Sequence, residues 1–440
     1  MEHSFFDAFH SYTVEEQQEQ IKKALGATRG NLPHTWISPE DIAVDPIYFK
    51  KPKPKKQDIT SPPVNWKRTQ RICIESDSDL AIKEINDSLD AEIDCIHFFV
   101  SEEVNDLGIV PTTLKDAKRD FLFVFKEIPS KSILTQLSAV ENVELGIDFY
   151  GQYAQQAYWK ASAEMSHENW FSFMKNTVGK GLFINASLYA NAGANLVQQI
   201  AFALSHMNAY LSLMDEKSIA FPSKIHVQLA LGSNYFFELA KLASFRSLAE
   251  IMIKEYSHSL ELLITAEPLQ RNKTTTDYNV NILRTTTEMM SAVLGGANRV
   301  MNHSYDLRFN QPNAFGDRIA RNQLHLLKYE SYFDELPNVM DGSYYLEALQ
   351  EEMKEKAWAL FLEIEQHGGW LTAIESNNIQ SKIEKARQEE ARQFKEGALV
   401  LVGTNKYTTA SSLNAEIKAI VPRAAKKKAM FTPLETFYLS

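Results

Sequence analysis

Cysteine is almost absent: Cys73 and Cys95 are the only two in 440 residues. They form no Cys-x-x-Cys pair, which argues against a dedicated metal site and for a reduced, cytoplasmic protein. No apolar run approaches the ~18 residues of a membrane span. The opening Met1-Glu2-His3-Ser4-Phe5-Phe6-Asp7 lacks the basic and apolar regions of a signal peptide. Basic charge is in deficit too, and a net charge of -10 argues against general nucleic-acid binding. The two basic runs, Lys50-Lys51-Pro52-Lys53-Pro54-Lys55-Lys56 and Lys426-Lys427-Lys428, read as solvated linker and tail. Neither is interleaved with the aromatic residues of a base-stacking surface. There is no Gly-rich phosphate fingerprint, so Gly295-Gly296 reads as a helix stop. No Ser-His-Asp arrangement, internal repeat or low-complexity tract stands out. Glu351-Glu352 and Glu389-Glu390 read as solvated helix faces.

What is present is a core. Hydrophobic residues make up 44% of the chain and charged ones 23%, a globular balance. The length suits two or three average domains, or one large barrel with appendages. Val14, Ile21 and Leu25 give residues 5–25 a helical pattern, too short for a core of its own. From Trp66 onward, short apolar runs alternate with amphipathic stretches. The spacing predicts strands at 71–75, 93–100, 121–125, 143–149, 181–188, 225–231, 260–265 and 297–303. Helices are expected between them at 80–89, 132–140, 164–176, 194–213, 235–256 and 280–294. Eight strand–helix alternations predict an α/β fold, a (β/α)8 TIM-type barrel with an N-terminal arm and a C-terminal helical extension. Beyond His303 the pattern gives helices at 315–332, 344–365 and 379–394 and one further strand at 399–402. The expected division is 1–60 interface arm and basic linker, 61–310 barrel, and 311–440 helical extension and tail.

Several words in the second half are distinctive. They are Asp277-Tyr278-Asn279-Val280-Asn281-Ile282-Leu283-Arg284-Thr285, Arg318-Ile319-Ala320-Arg321-Asn322, Asp341-Gly342-Ser343-Tyr344-Tyr345-Leu346-Glu347 and Lys356-Ala357-Trp358-Ala359-Leu360-Phe361. In this order they resemble the methylmalonyl-CoA mutase family, whose members rearrange a carbon skeleton with adenosylcobalamin on a (β/α)8 barrel. Weaker likeness runs through Phe5-Phe6-Asp7-Ala8-Phe9, Trp36-Ile37-Ser38-Pro39-Glu40-Asp41-Ile42, Ala192-Gly193-Ala194 and Phe236-Phe237-Glu238-Leu239-Ala240-Lys241-Leu242. It closes at Gly403-Thr404-Asn405-Lys406-Tyr407. The first two of these weaker words resemble the family's subunit-interface segment.

The departures matter as much. Catalytic members end the fifth strand with Gly-Tyr-His, whose His polarises the thioester carbonyl. Counted back from Ala192-Gly193-Ala194, those positions hold Ala186, Ser187 and Leu188, and no His occurs between His167 and His206. Losing one such preorganised donor costs ~2.7–4 kcal/mol of barrier lowering. The family's substrate-carboxylate Arg segment and its Tyr-Ile-x-Pro-Pro run are missing where Tyr150-Gly151-Gln152-Tyr153-Ala154-Gln155 stands. Its Thr-Met-Tyr and Arg-Pro-Trp words are replaced by Val64-Asn65-Trp66-Lys67-Arg68. No Asp-x-His-x-x-Gly cobalamin loop occurs, the last histidine is His367, and 33 residues follow Tyr407. The resemblance thus implies a chain that does not bind cobalamin in the family's way.

In the sixth strand Ile225, Val227 and Leu229 alternate with His226, Gln228 and Ala230, so one set faces the barrel axis. Catalytic members keep that axis lined with small residues because the CoA arm threads it. His226 and Gln228 are therefore expected to help plug it. A hydrogen-bonded core pair is compatible with that role, and a catalytic His226 would lack an acidic neighbour in sequence.

The resemblance implies the small, non-catalytic subunit of a heterodimeric methylmalonyl-CoA mutase. Its large subunit would hold adenosylcobalamin and interconvert (R)-methylmalonyl-CoA and succinyl-CoA. No catalytic, cofactor-binding or metal residue is assigned to this chain. Two alternatives stay open: a catalytic acyl-CoA barrel working with a separate cobalamin-binding protein, and a barrel repurposed to bind acyl-CoA as a regulator.

Overall fold

The computed structural model describes residues 12–24, 35–49, 63–75, 78–159, 162–176, 181–257, 259–336, 338–408 and 429–439. Both basic runs and the start of the first expected helix, residues 5–11, lie outside them. The chain opens with helix α1 (Val14–Ala24) and a short antiparallel hairpin, β1 (Trp36–Ile37) and β2 (Ala43–Val44).

The barrel follows. Its first half comprises β3 (Lys67–Ile74), α2 (Ser78–Asp90), β4 (Cys95–Val100), α3 (Val110–Leu114), β5 (Asp120–Phe125), α4 (Lys131–Leu137), β6 (Val143–Ile147), α5 (Phe149–Gln156) and α6 (Ala163–Asn176). The second half comprises β7 (Leu182–Asn185), α7 (Ser187–Ala192), α8 (Leu196–Glu216), β8 (Lys224–Leu231), α9 (Tyr235–Tyr256), β9 (Glu261–Pro268), α10 (Val280–Leu294) and β10 (Arg299–Met301). The eight strands are parallel and ordered β6-β5-β4-β3-β10-β9-β8-β7, so the last pairs with the first and the sheet is nearly a ring. Its seam lies between β6 and β7, crossed by a backbone bond from Gly181 N to Leu145 O of 2.7 Å.

All eight expected barrel strands are present. Alternation sets their two faces: Ile225, Val227 and Leu229 join the helix-facing core, while His226 and Gln228 turn inward. The expected strand at 181–188 stops at Asn185, because Ser187 already starts a helical turn. Helix α8 begins two residues later than its apolar pattern suggests. There Asn195 and Gln198 form a reciprocal capping box, each side chain accepting from the other's backbone N–H.

Among the described residues four α-helices follow the barrel: α11 (Ala314–His325), which runs on as a π-helical turn at Leu326–Glu330, α12 (Tyr344–Gln366), α13 (Gly369–Glu375) and α14 (Asn378–Lys395). Helix α12 packs along α8 and α9, burying Leu349, Met353, Ala357 and Phe361. The expected strand at 399–402 is not one. Asn405 ties Leu399 O and Leu401 N by its side chain, which makes a turn with a single bridge between Val402 and Lys406. Among the described residues no helix is long and apolar enough to cross a membrane.

Residues 429–439 return to the C-terminal face of the barrel as a strap. Backbone amides of Met430, Leu434, Phe437 and Leu439 donate to Ala157, Ala154, Asn191 and Arg271 in turn. Its own Phe431 and Leu434 side chains are buried, and Tyr438 lies against the Arg308 guanidinium.

Candidate functional site

The axis of a (β/α)8 barrel and the C-terminal ends of its strands are where such folds place chemistry. Here the inward side chains at the N-terminal end form a charged network. Arg299 donates to Glu144 Oε2 at 3.2 Å and to His226 Nδ1 at 3.1 Å. His226 turns Nε2 toward Glu144 Oε2, 3.0 Å away, and His97 stands 3.5 Å from Arg299. Lys224 pairs with the same glutamate, and Lys67 pairs with Asp120. Burial and the nearby Arg299 charge push both His97 and His226 below the usual histidine range, although Glu144 works the other way on His226. Burial would raise Glu144, but His226, Arg299 and Lys224 together hold it far below the usual carboxylate range. Both histidines are thus neutral at neutral pH and the glutamate is ionised.

Toward the C-terminal ends of β4 and β5 the interior turns apolar. Phe99, Leu122, Val124 and Phe183 pack together across the axis. Phe183 approaches so closely that a Cβ on Gly146 would lie 2.5 Å from its own Cβ. On the other side, a Cβ on Gly181 would meet the His226 ring at 2.9 Å. His226 and Gln228 are both buried inside the barrel, at 1% and 2% exposure. The space that small residues would leave open is filled by rings and ion pairs.

The mouth is polar. Asn185, Gln228 and Thr265 stand side by side in register on β7, β8 and β9. Their Oδ1, Oε1 and Oγ1 atoms have no hydrogen-bond partner among the described residues. One step higher, His303 Nε2 pairs with Glu267 Oε2 at 2.8 Å, and the Arg71 guanidinium covers the Phe99 ring at 4.3 Å. Burial would raise Glu267, but the His303 hydrogen bond and charge, with help from Arg71, bring it down to about 2.

Leu188, the residue at the position of the family's polarising His, is buried in α7 and belongs to the helix-facing core. It has no hydrogen-bonding group to offer. Its neighbour Ser187 is the residue whose hydroxyl faces Glu267 and helps hold that carboxyl down. Gly296 adopts φ 89 directly after α10, as a helix stop requires. Glu389 is an exposed face residue bonded to Arg392, but Glu390 is not: it pairs with Arg271 at the barrel mouth. Sequence reading missed Arg71, Glu267, His303, Arg299 and Glu144 as interior residues. Their signal was present as charged residues at alternate positions of apolar runs, as in Val143-Glu144-Leu145-Gly146-Ile147.

Residues 100–434 match the family profile described as methylmalonyl-CoA mutase. The chain is 33% identical over 234 residues to the methylmalonyl-CoA mutase small subunit of Porphyromonas gingivalis, covering 51% of this chain and 38% of that one. It is 34% identical over 223 residues to methylmalonyl-CoA mutase of Rhizobium meliloti, covering 49% and 31%. Against the methylmalonyl-CoA mutase large subunit of Porphyromonas gingivalis it is 29% identical over 267 residues, covering 59% and 37%. The matched stretch is between 31% and 38% of the length of these relatives.

Proposed function

Because the chain belongs to the methylmalonyl-CoA mutase family, we propose that it serves as the small, non-catalytic subunit of a heterodimer. The observation that carries this reading is the filled axis. A CoA arm threading the barrel would have to displace Phe183 and Phe99 and break the Arg299–Glu144 pair, leaving a buried charge uncompensated. Leu188 adds to it, since a thioester carbonyl would find no donor there. The likeness to relatives named small and large subunits is consistent with a two-chain arrangement.

Adenosylcobalamin, held by the large subunit, would supply the radical chemistry that interconverts (R)-methylmalonyl-CoA and succinyl-CoA. The interior of this chain does not fit the substrate arm, and no step of that reaction is routed through it. Its contribution is interface and stability. The hairpin arm and the first turns of α9 and α12 leave Trp36, Ile37, Phe236 and Tyr344 each at least 40% exposed. They are linked by ring contacts of Trp36 to Phe237 at 5.6 Å and of Phe236 to Tyr345 at 5.7 Å. Obligate interfaces bury ~2,000–5,000 Å² and are more apolar than other surfaces, which suits this patch.

The test is to isolate the tagged chain from its native host and identify what accompanies it. A stoichiometric, cobalamin-binding mutase chain is expected, with mutase activity only when that chain is present. A small free-standing cobalamin protein, with activity in that pair, would overturn the reading in favour of a catalytic barrel. No partner at all would also overturn it.

A further inference from the structure

We propose that the cavity between the hairpin arm, the barrel mouth and α14 is a binding site for a zwitterionic amino acid with an apolar side chain. The cavity, of about 540 Å³, is within the usual range for a small-molecule pocket. Two buried groups of opposite charge line it, Arg271 at 7% exposure and Glu40 at 8%. Arg271, in the loop after β9, meets Glu390 of α14 through Nη1, but its Nε has no hydrogen-bond partner among the described residues. Burial brings the Arg271 guanidinium down to about 10, so it is charged at neutral pH, and a buried N–H without an acceptor is costly. Glu40, in the turn of the hairpin, accepts from Leu196 N at 3.2 Å, and the Ser38 hydroxyl lies against its carboxyl. Both are neutral donors, and among the described residues no cation pairs with Glu40. Lys241, within reach of its charge, is already taken by Glu238, Gln199 and the Ala230 carbonyl. Burial accordingly raises the Glu40 carboxyl above the ordinary range, against the pull of those two hydrogen bonds.

A guanidinium edge that needs an acceptor and a carboxyl that needs a cation thus line one cavity, each within reach of the other's charge. An amino acid presents the complementary pair, its carboxylate to Arg271 Nε and its ammonium to Glu40. The surroundings decide against either charge alone. Five carboxylates and two guanidinia line the cavity, and their net negative field repels a free acid. A plain amine would leave the Arg271 Nε–H without an acceptor. The rest of the lining sets the side chain. Trp36, Ile37, Leu196, Leu269, Leu399 and Leu439 supply apolar surface, which an aliphatic or aromatic group would cover. The site stands on this chain's own residues, whether or not the chain has a partner.

Binding to the full 440-residue chain is measured by titration calorimetry and by tryptophan fluorescence. L-Leucine is expected to bind, with a fluorescence change that Trp36→Phe abolishes; Trp36 is 47% exposed, so that variant keeps the fold. 3-Methylbutylamine and 4-methylpentanoate carry the same skeleton without the carboxylate or without the ammonium. Each should bind about ten-fold more weakly than leucine, the scale of one charge-assisted hydrogen bond. Arg271→Gln should weaken leucine by a similar factor and the amine little. Glu40→Gln keeps an acceptor for Leu196 N, and should weaken leucine likewise but the acid little. If neither of these two variants folds, the comparison of the three ligands on the unaltered chain decides alone. Absence of leucine binding at tens of millimolar, or binding of either analogue as tight as leucine, overturns the proposal. So does an unchanged leucine affinity in a folded Arg271→Gln or Glu40→Gln chain, or a fluorescence change that survives Trp36→Phe.

Discussion

Arg299 is the residue on which the barrel interior depends most. It is buried at 3% exposure and holds Glu144 while donating to His226. Arg299→Met removes the cation and leaves Glu144 with only Lys224 and a neutral histidine. The expected cost is about 3–5 kcal/mol, the usual penalty for breaking a buried pair, and urea unfolding measures it. Adding Glu144→Leu should return part of that loss, and a neutral single variant would sink the argument. The pH dependence has a definite sign. A carboxylate held below its ordinary range contributes fully above that range, and its contribution drains only as the pH falls toward its depressed value. Glu144 should therefore support the fold throughout neutral and mildly acidic conditions. Gly146 is the matching steric residue. Gly146→Ala should cost about 1–3 kcal/mol by overpacking Phe183, and Phe183→Val in the same chain should relieve it.

At the scale of elements, α2 and α11 meet through carboxylates. Burial first, then the Asp317 charge, raises Glu84 to about 7; burial, and the Asp306 and Asp87 charges against a helping Arg321, raise Asp317 to about 6. An acid raised in the fold binds its proton more tightly there, so stability is lost as the pH rises from the ordinary carboxylate range toward 7. Glu84→Gln should thus stabilise the chain at pH 8 by about 1 kcal/mol, discounted for partial exposure, and change little at pH 5. Thermal unfolding at the two pH values checks it, and an equal shift at both would refute the coupling. Elements also show what was legible. Strands such as the apolar run of Asp120–Phe125 and the alternating Lys224–Leu231 could be read from the sequence because their pattern and flanking turns mark them. The first four residues of Lys67–Ile74 could not, since Lys67 and Arg68 look like loop and become strand only through Asp120 and Asp94, far away in the chain. The filled axis was half legible: His226 and Gln228 announced bulk, but Phe183, Phe99 and Arg299 could be placed inside only once register was known. The strap was not legible, because its hold is backbone hydrogen bonding, which carries no residue signature.

For the whole molecule, a parallel eight-stranded barrel has its interior filled by rings and ion pairs. A chain of this kind should be judged by association. If the chain has the large-subunit partner proposed above, deleting residues 1–30, which removes α1 and sequence beyond the described residues, should weaken assembly with it. Size-exclusion chromatography of the mixed chains checks this, and unchanged co-elution would refute it.

The seam between β6 and β7 has a consequence for motion. Seven strand pairs share ladders, but at this junction Gly181 N to Leu145 O is the one backbone bond recorded across the ring among the described residues. Side-chain packing, chiefly Phe183 over Gly146, does there what ladders do elsewhere. A cylinder closed in this way behaves as a split ring, and its cheapest opening runs along the split. Deuterium should therefore enter the amides of β6 and β7 well before those of β8 and β9, so the barrel would loosen as a hinged sheet while its opposite wall stays zipped.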